Sequence, residues 1–67
     1  NSNRMKLDCY VLQKGLSRYF QKLEVNKNVV YTDSPFKANL FTDKKVATKF
    51  QRILENDYQE QNVIIKL

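Results

Sequence analysis

Thr42-Asp43-Lys44-Lys45-Val46-Ala47-Thr48-Lys49-Phe50-Gln51-Arg52-Ile53-Leu54-Glu55-Asn56 is the stretch on which the fold of this 67-residue chain turns. Val46, Ala47, Phe50, Ile53 and Leu54 recur at steps of three and four, which a 3.6-residue period gathers into one apolar stripe. Thr42 is the expected N-cap, and Asp43 in the first turn suits the positive end of the helix dipole. The pattern predicts an amphipathic helix ending near Asn56, and the flanking segments must supply the surface its stripe covers.

Upstream the period drops to two. From Lys6 to Lys14, Leu7, Cys9 and Val11 alternate with Asp8, Tyr10 and Leu12, predicting a first strand. Gly15, the chain's one glycine, stands where a tight hairpin needs positive φ, and Ser17 to Val25 reads as the second strand. Asn26-Lys27-Asn28 is turn chemistry, after which Val29 to Thr32 is β-branched and aromatic enough for a third. At Asp33-Ser34-Pro35 a cap followed by proline predicts a single helical turn through Lys37 or Ala38, with Leu40 and Phe41 as a core-seeking connector. Beyond the helix, Tyr58 to Gln61 is a polar linker and Asn62 to Leu67 a last strand.

This order predicts an α+β domain. It comprises a three-stranded antiparallel meander, one short helical turn, one main helix and a C-terminal strand, in a single layer of sheet with the helix on one face. A right-handed crossover would lay the last strand parallel to strand one or strand three. Pairing with strand one, the favoured arrangement, makes the spatial order 4-1-2-3.

Composition narrows the class. The chain is 42 % hydrophobic and 28 % charged with one glycine and one proline, the make-up of a folded domain and not of a disordered tail. Residues 5–67 read as one domain starting at Met5, with residues 1–4 an addition preceding the natural start. No apolar run approaches the roughly 18 residues of a membrane span. A lone cysteine, Cys9, argues for a reducing cytosol, and packed in a strand it acts as a small apolar residue.

Catalytic chemistry is scarce. There is no histidine to serve as a base or zinc ligand, no second cysteine, and no glycine-rich phosphate loop. The seven carboxylates are scattered and form no calcium-loop pattern. The expectation is a protein that is no enzyme, holds no metal or cofactor and works by binding.

One helix covers one face of a four-stranded sheet, so the other must meet water or a partner. With Leu7, Cys9, Val11, Tyr19, Leu23, Val63, Ile65 and Leu67 placed beneath the helix, the pleat sends Tyr10, Leu12, Arg18, Phe20, Lys22 and Ile64 outward, joined by Tyr31 or Val30. That second set is the expected partner-binding face, with Tyr10 and Phe20 as aromatic anchors for a partner protein or a second copy of the chain. The alternative is that the segment from Pro35 to Phe41 folds over this face and buries it. The net charge of +5 adds a second surface: Lys45, Lys49 and Arg52 recur along the helix as a positive ridge suited to phosphates or to an acidic protein. Arg18, Phe20 and Lys22 together with that ridge form the alternative, a nucleic-acid-binding module; the plain reading of the ridge is a solvated helix face.

The run Tyr10-Val11-Leu12, the Gly15-Leu16-Ser17-Arg18-Tyr19 hairpin, Tyr31-Thr32-Asp33, Lys37-Ala38-Asn39-Leu40-Phe41 and the capped lysine-rich helix together resemble short proteins of phages of Gram-positive bacteria, staphylococcal phages especially. The resemblance spans most of residues 5–67. Some proteins of that kind inhibit the host by binding its replication machinery, one of them through the loader of the replicative helicase. The resemblance implies a non-enzymatic host-takeover role in the host cytosol and assigns no functional residue.

Overall fold

A computed structural model describes residues 8–26 and 28–67. The readings placed on Lys6, Leu7 and Lys27, and on the start at Met5, lie outside the described residues. β1 (Tyr10–Lys14), β2 (Arg18–Leu23) and β3 (Val29–Thr32) form an antiparallel meander. α1 (Lys44–Tyr58) follows, and β4 (Val63–Lys66) completes a four-stranded sheet in the order β3-β2-β1-β4. Of the two neighbours left open for it, the last strand takes the favoured one, the first strand, and the fold class is as the sequence predicts.

The direction of that last strand is not. β4 runs antiparallel to β1, with Val11 opposite Ile65 and Leu12 opposite Ile64. The reason lies in the connector between β3 and α1, which makes the return journey that the helix was expected to make. Ser34 Oγ accepts from the Phe36 N–H at 3.2 Å, and Lys37 N–H closes on Ser34 O, so the expected turn forms. The chain then descends between β1 and β2: Asn39 N–H donates to Phe20 O at 3.0 Å, and Phe41 exchanges both backbone bonds with Tyr10. This wedge explains why β1 and β2 pair only near their hairpin, at Gln13–Tyr19 and Lys14–Arg18. The helix therefore begins beside the start of β1, climbs, and leaves β4 to descend.

Local chemistry sets the ends of α1. Asp43, and not Thr42, is the N-cap; its backbone is extended and its carboxylate accepts from the Lys45 N–H at 2.9 Å. At the other end Gln59 adopts the left-handed conformation (φ 56°), and the Glu60 N–H returns to Leu54 O at 2.9 Å. The helix thus extends two residues past Asn56. Ala47 and Leu54 are its fully buried members, with Phe50 and Tyr58 packed beside them, while Val46, expected in the stripe, is exposed.

The core shows which face of the sheet the helix covers, and it is the face expected to be open. Leu12, Phe20, Phe41, Ala47 and Leu54 form the buried cluster, flanked by Tyr10, Tyr31, Phe50 and Ile64. Phe41 and Phe50 rings lie 5.3 Å apart, and Phe20 lies 6.0 Å from Phe50. Leu23 packs on the same side although its parity differs from that of Phe20. A bulge between Phe20 and Lys22 inserts the extra residue that reverses the phase. The set Cys9, Val11, Tyr19, Val63, Ile65 and Leu67, expected beneath the helix, therefore faces away from it.

Candidate binding surfaces

Four of the six residues expected to meet a partner are held in the interior or against it. Leu12 is 0 % and Phe20 2 % exposed, and Tyr10 and Ile64 pack on the same cluster. Arg18 is exposed at the end of the sheet, on the helix side and close enough to influence Glu60. Lys22 is exposed on the other face because of the bulge, 4.0 Å from Glu24. The six do not form one surface. A patch anchored on Tyr10 and Phe20 is absent, because those rings supply the apolar area that a small core needs.

The face turned from α1 carries a different apolar set. Val11 stands opposite Ile65 and Gln13 opposite Val63; Leu67 N–H reaches Cys9 O at 2.8 Å. Leu40 precedes Phe41, the partner of Tyr10, so the pleat turns it toward Val11's side. Val63, Leu67 and Leu40 are 55 %, 54 % and 50 % exposed. Val11, at the centre, is fully buried and lies outside the helix-side cluster, as does Ala38 in the connector. The connector is tied to β2 here through Gln21 Nε2 donating to Lys37 O at 3.1 Å. Part of this face thus has cover, and its β4 margin has none among the described residues.

The basic ridge is present as expected. Lys45, Lys49 and Arg52 are exposed and line one shallow groove on α1, bordered by Ile53 and Asp57. None of the three has an ion-pair partner among the described residues. Lys44 and Lys45 also occupy the first turn, where the dipole disfavours cations.

A polar cluster missed by sequence reasoning sits where the hairpin, β3 and the α1–β4 loop converge. Lys14 Nζ donates to Glu60 Oε1, and its charge lies 5.5 Å from the centre of the Tyr31 ring. Tyr31 Oη donates to the same carboxylate at 3.3 Å and accepts from Asn62 Nδ2 at 3.0 Å. Asn62 is buried, its carbonyl accepts from Gln51 Nε2 at 2.7 Å, and its Oδ1 has no partner among the described residues. The Lys14 bond, ahead of the other influences, holds the Glu60 carboxyl below its ordinary range, whereas burial pushes the Tyr31 hydroxyl up. Contacts 29 to 46 residues apart in sequence join this cluster, so no local motif announces it. It ties the hairpin to the helix's exit, a structural role.

Two further observations bound the chemistry. Among the described residues, no three His, Cys, Asp or Glu side chains gather as a metal site would require, and no helix is long and apolar enough to cross a membrane. Models of protein families, curated proteins and solved structures were all compared with the chain. None of them matches it.

Proposed function

We propose that this chain is a non-enzymatic binding protein that docks on another protein through the β4 side of the sheet face turned away from α1. The half-exposed Val63 and Leu67 on either side of Ile65, with Leu40 across Val11 on the same face, carry the reading, because apolar side chains on one open face gain by being covered. The phage proteins that the sequence resembles supply the partner class. It is a host protein in the cytosol, with a replication ATPase such as the helicase loader as first candidate, inhibited or redirected by being bound. The net charge of +5 favours encounter with an acidic partner.

The test is capture from a nuclease-treated lysate of a Gram-positive host, using the wild type beside a Val63→Glu, Leu67→Glu double variant. The wild type is expected to retain one stoichiometric protein, with little loss as salt is raised, and the variant to release it. Equal retention by both chains defeats the reading.

A nucleic-acid-binding role is the second reading, favoured by Lys44 and Lys45 standing against the helix dipole, a local cost that phosphate contact would offset. It now rests on the ridge alone, since Phe20 is buried. Binding of that kind weakens steeply with salt, and Lys45→Glu together with Lys49→Glu would abolish it. An oligonucleotide affinity that is flat between low and high salt rejects it.

A further inference from the structure

The sheet has two edges, and they are unequally protected. Beside β3, the bulge in β2 twists the margin, Asp33-Ser34-Pro35 ends the strand, and none of its four residues is fully exposed. β4 has no bulge and no proline, and Val63 and Leu67 lie half exposed along it. The hydrogen-bond frame identifies the groups on it that no described residue meets. Tyr10 turns both its N–H and its C=O toward Phe41, away from β4, so Tyr10–Lys66 and Leu12–Ile64 are the non-bonded pairs of the ladder. The N–H and C=O of Ile64 and Lys66 consequently point out of the sheet.

We propose that a second copy of the chain pairs at this edge, β4 antiparallel to β4 across a two-fold axis at Ile65, joining the two sheets into one. In this register Ile64 exchanges both backbone bonds with the partner's Lys66, and Lys66 does the same with the partner's Ile64. Ile65 faces the partner's Ile65, and Val63 faces the partner's Leu67, so the half-exposed side chains of each copy cover those of the other. A shift by one residue opposes outward groups to inward ones; a shift by two leaves one reciprocal pair in the strand instead of two. Lys66 Nζ stays 3.5 Å from Asp8 of its own chain, so no unpaired charge enters the seam. The edge is matched in register and in side chains to itself, as a two-fold contact between copies requires. Both helices lie on one side of the joined sheet. The pairing is made by the backbone of the edge and takes in Val63 and Leu67, which the docking face proposed above also uses; cross-linking of the purified chain tests it apart from capture of a partner protein.

Sedimentation of the full chain should give the mass of two 8.0-kDa chains. Lys66→Pro removes an outward N–H while sparing every ladder bond to β1, and should return the mass to one chain; Lys66→Ala, which loses only the ion pair, should remain paired. In a Cys9→Ser background, Ile65→Cys should cross-link under mild oxidation. Residues opposed in a non-bonded pair have Cα atoms about 4.5 Å apart, within disulfide reach. Val30→Cys, beside the protected edge, should not. A one-chain mass at all concentrations, or a two-chain mass without cross-linking at position 65, overturns the proposal. If Lys66→Pro fails to fold, the cross-link decides.

Discussion

Glu60 joins three elements through one carboxylate, and its ionisation gives the chain a pH dependence of definite sign. Its folded-state pKa lies below the unfolded one, so the stability it contributes is complete above the unfolded value of about 4.5 and is lost as pH falls through the lower, folded value. Glu60→Gln should therefore be less stable than the wild type at pH 7 and indistinguishable near pH 2, read from urea midpoints at each pH. Because the pair is partly exposed, added salt should shrink the difference. Gly15 offers a separate test. Its φ of 67° is one that side chains with a Cβ rarely adopt, yet nothing lies within 4 Å of where a Cβ would stand. Gly15→Ala should thus cost about 1–2 kcal/mol through backbone conformation alone, measured by chemical denaturation.

At the scale of the elements, α1 ends in a motif completed by an unfavourable residue. Gln59 holds the left-handed position in which glycine carries no penalty, and its exposed side chain makes one bond, to Asn56 O at 3.3 Å. Gln59→Gly should stabilise the chain by about 1 kcal/mol, raising Tm by roughly 4–8 °C in a thermal scan. The strands teach a different lesson. Cys9, Tyr10, Val11 and Leu12 are all apolar enough for an interior, so period-two alternation yields two equivalent faces and no choice between them. In β2 the bulge changes parity midway, which no residue of Phe20-Gln21-Lys22 signals. Helix and strands were legible because their periods are local properties; the partner-facing set was not, because it depended on parity.

The whole molecule is small enough that one ring decides whether it folds. Phe20 packs against Phe41 of the connector, 6.5 Å away, and Phe50 of the helix, 6.0 Å away, and it is the largest fully buried side chain among the described residues. Phe20→Ala should remove about 3–5 kcal/mol. A single core of this length supplies roughly that much in total, so the variant should be unfolded at 25 °C by near-UV circular dichroism. A folded, partner-deficient Phe20→Ala chain would instead restore this ring to the binding surface where the pattern first placed it.

The amino-acid sequence by itself determined the element types, the α+β class, the turn at Gly15 and the basic ridge of Lys45, Lys49 and Arg52, all set by short-range periodicity, φ preference and charge; it left the last strand two possible neighbours, strand one and strand three. The tertiary structure alone decided that Tyr10, Leu12, Phe20 and Ile64 lie under the helix, that β4 descends, and that Leu40, Val63 and Leu67 look outward. These outcomes follow from the connector descending between β1 and β2, which starts the helix beside the start of β1 and brings three phenylalanines from distant segments together. The energy of that assembly is non-local, so no window of the sequence contains it.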